Sequence, residues 1–159
     1  MPVAYLGIGT NMGDRLAFLQ GALDGLRADA AVDVDAWSPV YETRPVGGPP
    51  QENYLNAVVA VATSKNPPEL LALCNALEAD ADRVRTVHWG PRTLDIDVLL
   101  YENLQCDDPV LTIPHPRMHE RAFVLVPLRD LAPELAQELA ANAELFDDPT
   151  VARYDGCLK

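Results

Sequence analysis

The sequence is poor in cysteine and contains no long apolar run. Its three cysteines, Cys74, Cys106 and Cys157, are odd in number and scattered, which argues against a disulfide framework or a zinc site and fits a reducing compartment. No stretch approaches the roughly 18 apolar residues that a membrane-spanning helix needs. The first residues also lack the basic and apolar regions of a secretory signal. We therefore expect a cytoplasmic protein with no membrane partner.

Basic residues are few as well: 12 Lys and Arg stand against 24 Asp and Glu, for a formal net charge of −12. This charge argues against nucleic acid as a partner, because an acidic surface repels its phosphates. The cations are unevenly placed, since five of the arginines and all three histidines lie between Arg83 and Arg121, where six acids are found. We expect this segment to bind a small anion.

Length and hydrophobic periodicity predict one domain of the α+β class. A chain of 159 residues that is 48% hydrophobic can build one core, so we expect a single domain over residues 1–159 and a monomer. Residues 147–159 give no structural signal. The periodicity predicts strands over 3–9, 32–41, 54–62 and 95–101, and helices over 14–27, 66–84, 120–131 and 133–141.

The first six of these elements follow the order β-α-β-β-α-β. That order is typical of the ferredoxin-like fold, an antiparallel sheet with both helices on one face. We expect the additional C-terminal helices to cover the other face.

Two acids, Asp95 and Asp97, open the apolar strand predicted over 95–101. Side chains alternate between the faces of a strand, so both acids project from one face, with Cα atoms about 7 Å apart. Two like charges so close favour a cation between them, and Mg²⁺ takes one or two carboxylates together with phosphate oxygens. Such a pair is also often no more than a solvated strand end.

Three arginines just upstream of these acids suit phosphate binding: Arg83, Arg85 and Arg92. Carboxylates for a metal beside guanidiniums for an anion are the layout of a phosphoryl-transfer site. Such a reaction needs positioning and electrostatics rather than a covalent nucleophile, so no cysteine needs a catalytic role.

Several short motifs occur in a fixed order along the chain. The longest is His88-x-Gly90-Pro91-Arg92-x-x-Asp95-Ile96-Asp97-Val98-Leu99, and the others are Gly9–Asp14, Tyr41-x-Thr43-x-Pro45-x-Gly47, Tyr54–Ala57, Glu78 followed by Arg83-x-Arg85, Pro114–Pro116 and Glu120–Arg121-x-Phe123. Together, from about residue 3 to 133, the chain resembles the 6-hydroxymethyl-7,8-dihydropterin pyrophosphokinases. Some positions depart from the common pattern, among them Arg44, Asn75 and Pro116.

The resemblance implies a Mg²⁺-dependent diphosphotransferase of folate biosynthesis. It would move the pyrophosphoryl group of ATP to the hydroxymethyl oxygen of the pterin and release AMP. Asp95 and Asp97 would bind two Mg²⁺ ions, and Arg83 and Arg92 would neutralise the transferred group.

The resemblance also implies the residues that bind the two substrates. The ATP contacts would be Glu78, Arg85, Arg92, His115 and Arg121. The pterin contacts would be Thr43, Val46, Tyr54, Asn56, Trp89 and Phe123.

The residue types suit a pterin, which is a flat heteroaromatic with donors and acceptors on its edge. The rings of Phe123 and Trp89 can stack on its faces, and the amide of Asn56, inside an apolar strand, matches its edge. Taken from the sequence alone, Phe123 and Tyr54 are more typical of aromatic residues packed in a core.

Two other functions remain open at this point. A palm-type nucleotidyltransferase also places metal-binding acids on a ferredoxin-like sheet, but it would release pyrophosphate. A non-catalytic ferredoxin-like module that binds a small ligand would not need the arginines and acids together.

Overall fold

The computed structural model describes residues 1–45, 51–82 and 93–159. The strands are β1 (Val3–Thr10), β2 (Val32–Trp37), β3 (Tyr41–Thr43), β4 (Tyr54–Thr63), β5 (Asp95–Tyr101), β6 (Cys106–Asp107), β7 (Thr112–Ile113) and β8 (Val151–Arg153). The α-helices are α1 (Arg15–Ala28), α2 (Pro67–Asp82), α3 (Ala122–Leu131) and α4 (Pro133–Leu139), and short 3₁₀ turns span Met118–Glu120 and Ala143–Asp147. Within these ranges no helix is both long and apolar enough to cross a bilayer.

The two helices of the β-α-β-β-α-β unit begin at side-chain caps. The Asp14 carboxylate accepts the N–H of Ala17 at 3.2 Å at the start of α1. At the start of α2, Asn66 Oδ1 accepts the N–H of Glu69 and Glu69 Oε1 accepts the N–H of Asn66, both at 2.9 Å. Each bond satisfies a backbone donor that a helix start leaves unpaired, so the sequence predicted these starts well.

The main sheet is antiparallel, with the order β5-β1-β4-β3-β8 and with β2 also paired to β4. This confirms the predicted fold class. The strand predicted over 32–41 is wrong in one respect, because it is two strands, β2 and β3. At Ser38, the N–H donates to the Val58 carbonyl at 2.8 Å and Oγ accepts the Val58 N–H at 2.9 Å; Pro39 then has no N–H to continue the ladder.

Helices cover both faces of this sheet. On one face α1 and α2 pack over Leu6, Ile8 and other apolar residues of the central strands. On the other face Val124 and Leu128 of α3 pack against Val58 and Leu99. The prediction that the C-terminal helices cover the second face is confirmed.

The tail 147–159, which has no recognisable pattern of secondary structure in the sequence, belongs to the fold. Its strand β8 pairs with β3, and Leu158 is buried in the core between the sheet and α1. Three residues of strand are too few to show a period, which is why the sequence did not reveal it.

Candidate active site

Two glycines of the central strand β1 form the floor of the candidate site. Gly9 stands opposite Asp95 on β5 and Asn56 on β4, and Gly7 stands opposite Asp97 and Val58. Directly opposed residues share a face of the sheet. The two carboxylates and the amide therefore project to one side, across a strip of the sheet that has no side chains.

A cavity of about 390 Å³ lies over this strip, between the sheet and the start of α3. Seven of the residues proposed from the sequence line it: Thr43, Tyr54, Asn56, Asp95, Asp97, Arg121 and Phe123. The structure thus brings residues from both substrate groups, and both predicted metal ligands, to one place. The volume of the cavity falls within the range of small-molecule sites.

The amide of Asn56 is buried and its orientation is fixed. Its Nδ2 donates to Thr43 Oγ1 at 3.1 Å, and the side chain is only 8% exposed. Its Oδ1 lies over Gly9, where a Cβ would approach to 2.7 Å. A glycine at this position therefore makes room for the amide beside the cavity.

Arg121 and Phe123 form the wall contributed by the beginning of α3. The guanidinium carbon of Arg121 lies 5.5 Å from the ring centroid of Phe123, a distance typical of a cation–π contact. A positive charge and an aromatic ring therefore face the same cavity as the two carboxylates.

His115 lies beside β5, next to the lining residues but not among them. Its N–H donates to the Leu99 carbonyl at 2.9 Å, and its Nδ1 accepts the N–H of Arg117 at 3.2 Å, which leaves the proton of a neutral ring on Nε2. Burial lowers the pKa of His115; Asp97 opposes this, and Arg121 and Arg117 add to the lowering. The ring is therefore a neutral donor at pH 7.

Glu78 is also outside the cavity lining. It is buried, 8% exposed, one helical turn after Cys74 on α2, and α2 packs against β5. Burial raises the pKa of the Cys74 thiol to about 12, with further contributions from Glu78 and Asp97. Cys74 stays protonated at neutral pH, which suits the expectation that no thiol takes part in the chemistry.

The predicted metal role of the two aspartates can be compared with the ligands that surround them. In the part of the chain that the structure describes, no group of three or more His, Cys, Asp or Glu side chains is placed to hold a metal. Mg²⁺ characteristically takes one or two carboxylates and completes its shell with water and substrate phosphates. Two carboxylates facing an open cavity fit that ion, and they do not fit a closed structural site.

Five of the proposed site residues lie outside the described residues: Val46, Arg83, Arg85, Trp89 and Arg92. The remaining lining residues were not predicted as site residues from the sequence: Gly7, Ile8, Gly9, Arg44, Pro45, Ala57, Val58 and Val124. A signal for Gly7 and Gly9 was present, because two glycines at a spacing of two in an apolar strand mark one open face.

Comparison with known proteins gives a family match and curated relatives. Residues 5–133 match the model of the family described as 7,8-dihydro-6-hydroxymethylpterin-pyrophosphokinase (HPPK). The chain is 49% identical over 135 residues to a 2-amino-4-hydroxy-6-hydroxymethyldihydropteridine pyrophosphokinase of Methylorubrum extorquens, covering 85% of each chain. It is 44% identical to a protein of the same name from Bacillus subtilis, covering 89% of this chain and 84% of the relative.

Solved structures show the same fold at low sequence identity. A crystal structure of an HPPK-DHPS in complex with substrates has a TM-score of 0.70 at 13% identity, over 92% of this chain and 43% of that chain. Wild-type HPPK-DHPS of Plasmodium falciparum has a TM-score of 0.67 at 17% identity, over 92% of this chain and 40% of that one. The chain therefore spans less than half of either solved chain, and these likenesses establish the fold alone.

Proposed function

The chain belongs to the 7,8-dihydro-6-hydroxymethylpterin-pyrophosphokinase family, and we propose that it moves the pyrophosphoryl group of ATP onto the hydroxymethyl oxygen of 6-hydroxymethyl-7,8-dihydropterin. AMP is the other product, and the reaction belongs to folate biosynthesis. One observation carries this proposal: Asp95 and Asp97 face the same cavity as Asn56, Arg121 and Phe123. Carboxylates that suit a metal, an amide, a cation and an aromatic ring are the groups that the transfer of phosphate to a flat heterocycle requires.

The pterin binds over the β1 floor, where neither Gly7 nor Gly9 has a side chain. The Asn56 amide, fixed by Thr43, hydrogen-bonds the donor and acceptor edge of the ring. Phe123 and Tyr54 supply aromatic surface. Because the amide is already buried and oriented, little conformational entropy is lost when the ring binds.

ATP binds on the side of the cavity formed by β5 and the residues that follow it. Arg121 and the Nε2–H of neutral His115 donate to phosphate oxygens. Glu78, on α2, is a further contact to ATP. Asp95 and Asp97 would hold two Mg²⁺ ions, which when bound neutralise charge on the triphosphate. The family resemblance adds contacts to both substrates. Those to ATP and the transferred group would come from Arg83, Arg85 and Arg92, and those to the pterin from Trp89 and Val46.

The chemistry is an in-line displacement at the β-phosphorus of ATP. The hydroxymethyl oxygen forms a bond to that phosphorus, the bond from phosphorus to the α,β-bridging oxygen breaks, and AMP leaves with the bonding electrons. The hydroxyl proton passes to solvent. The chain positions the two substrates and supplies positive charge to the transferred group, so no covalent intermediate is needed.

The decisive experiment identifies the products formed from ATP and the dihydropterin in the presence of Mg²⁺. We expect one AMP and one pterin pyrophosphate per turnover, with label from the γ-phosphate recovered in the pterin. A palm-type nucleotidyltransferase would release pyrophosphate, and a non-catalytic ligand-binding module would leave ATP intact. Either result contradicts the proposal. Chelation with EDTA is expected to stop turnover and Mg²⁺ to restore it.

A further inference from the structure

Arg15, at the first position of α1, contacts three separate parts of the chain. Its Nη1 lies 2.8 Å from Glu42 Oε2 and donates to the Asn53 carbonyl, also at 2.8 Å. The guanidinium carbon stands 5.6 Å from the ring centroid of Tyr154. The Arg15 and Glu42 side chains are 19% and 33% exposed, so the pair is partly shielded from water and stronger than a surface ion pair.

These contacts fall at the two ends of the connection between β3 and β4. Glu42 immediately precedes Thr43, and Asn53 immediately precedes Tyr54. Thr43 and Tyr54 are paired across the two strands and both line the cavity. A single guanidinium nitrogen therefore joins the points where the chain leaves the sheet and returns to it. Asn11 makes a neighbouring contact, donating to Gln51 Oε1 at 2.8 Å.

This junction needs support because β3 is short. Its three residues form three pairs with β4 and three with β8, which is itself only three residues long, and the ends of such short ladders fray readily. Fraying would withdraw Thr43 Oγ1 from the Asn56 amide, which depends on that bond for its orientation. Asn56 would then lose the geometry with which it meets a ligand.

We propose that Arg15 is a positioning residue for the pterin subsite. It does not line the cavity. It acts by holding Glu42 and Asn53 together, which keeps Thr43 and Tyr54 in register and the Asn56 amide oriented. The inference rests on the proposed function, since it assigns the cavity over β1 to the pterin. We expect different effects on the two substrates, because among the described residues the side-chain contacts of Arg15 are with Glu42, Asn53 and Tyr154, none of which is on β5, the side proposed for ATP.

The test compares the affinities of full-length variants for each substrate. Binding of α,β-methylene-ATP with Mg²⁺ is measured first, and binding of the dihydropterin is then measured at saturating analogue. Arg15→Met, which keeps the aliphatic stem, is expected to raise the pterin Kd and KM about tenfold, with the analogue Kd changed less than twofold. Arg15→Lys, which keeps a positive charge and N–H donors at this position, should recover part of the loss.

Arg27→Met is the matched control. Arg27 also lies on α1. Its Nη1 is 3.3 Å from Asp24 Oδ1, and its guanidinium carbon is 4.6 Å from the ring centroid of Trp37. None of these three residues lines the cavity. It should lower thermal stability and leave both Kd values unchanged. Glu42→Gln, which keeps an acceptor but removes the charge, serves if Arg15→Met does not fold, and should raise the pterin Kd in the same direction.

Three outcomes would overturn the inference. An Arg15→Met pterin Kd no higher than that of Arg27→Met, or losses of pterin and analogue affinity in equal measure, would reduce Arg15 to a structural role while leaving the proposed function intact. A wild-type protein that binds the ATP analogue but no dihydropterin would refute the proposed function and this inference with it.

Discussion

At the scale of single residues, the site depends on the absence of a side chain at Gly9. A Cβ there would stand 2.7 Å from Asn56 Oδ1, closer than two such atoms tolerate. Because the obstacle is the end of a side chain, Gly9→Ala should move the amide rather than break the strand. We expect at least a tenfold higher KM for the pterin, about 1.4 kcal/mol, with melting temperature within about 2 °C of wild type. Steady-state kinetics and thermal denaturation check this.

Gly21→Ala is the matched control for that substitution. Gly21 is an exposed position inside α1, and a Cβ there meets nothing within 4 Å. Alanine is the better helix former, so the variant should be more stable by about 0.5–1 kcal/mol with unchanged kinetics. A kinetic defect as large as that of Gly9→Ala would show that the enzyme is sensitive to any glycine replacement.

The proposed metal role of Asp97 predicts a separation of stability from activity. Asp95 and Asp97 project to the same side of the sheet, and without a metal their like charges repel each other in the free protein. Asp97→Asn should then melt at the same or a slightly higher temperature than wild type without ligand. It should lower pterin-dependent AMP release by at least about 10²-fold. Differential scanning calorimetry and a coupled AMP assay test both halves.

A structural carboxylate would behave in the opposite way. Its loss would remove an ion pair or hydrogen bond and cost roughly 1–3 kcal/mol. An Asp97→Asn protein that melts early yet releases AMP at the wild-type rate would therefore remove the metal assignment.

The predicted site residues on the long strands β4 and β5 all lie at the cavity, while two of those predicted on other elements do not. Asp95, Asp97 and Asn56 occupy positions whose facing follows from a period of two, and all three line the cavity. Glu78 and His115 do not, because the reach of a helix residue or a loop residue depends on how its element packs. No local period contains that information, so their proposed ATP contacts remain predictions.

At the scale of elements, α3 is tied to the sheet by a hydrogen bond from the Tyr41 hydroxyl to the Asp130 carboxylate. Burial, and then Asp130, raise the pKa of Tyr41 from 10.0 to about 12. A raised folded-state pKa means that the phenol stabilises the fold fully below pH 10 and loses this contribution as pH rises towards 12. The bond therefore holds α3, with its cavity-lining start, throughout the neutral range.

Tyr41→Phe tests this linkage. The variant should be less stable than wild type by about 1 kcal/mol from pH 7 to 9. The difference should shrink between pH 10 and 12, because the wild type loses its advantage there. Urea unfolding of both proteins across this range measures it, and other alkaline titrations cancel in the comparison. A difference that is constant up to pH 12 would contradict the linkage.

The elements that the sequence located well are those with local signals. The capping box at Asn66 and Glu69 and the Asp14 cap are read directly from residue spacing. The break between β2 and β3 was missed because Ser38 pairs with Val58, a residue 20 positions away. A contact over that distance leaves no mark in the local period, although Pro39 was a visible warning.

At the scale of the whole molecule, the C-terminal segment is part of the core. Leu158 is 6% exposed and packs in the cluster beneath α1, while its carbonyl accepts the indole N–H of Trp37 at 3.3 Å. Leu158→Ala should lower stability by about 2–3 kcal/mol and the melting temperature by about 4–10 °C. Kinetics at 20 °C should be unchanged, because Leu158 lies away from the cavity. Val110→Ala, at a residue 79% exposed, is the control that should cost nothing measurable.

The distribution of charge and apolar surface over the whole molecule bears on assembly. Across the described ranges, the exposed large hydrophobic residues are Met1, Leu104 and Val110, far fewer than an interface of about 800 Å² per partner uses. The net charge of −12 adds mutual repulsion. We therefore propose a monomer of 17.3 kDa, one domain over residues 1–159. Sedimentation should give this mass from micromolar to about 100 µM protein.

Salt separates the two causes of that monomeric state. At 1 M salt the Debye length falls to about 3 Å, so repulsion between molecules is largely screened. If charge alone kept the molecules apart, dimers would appear under these conditions. Because apolar surface is also lacking, we expect the sedimentation coefficient, corrected for buffer density and viscosity, to remain that of a monomer. A dimer at 0.15 M salt would contradict the proposal, and one formed only at 1 M salt would show that repulsion is the single cause.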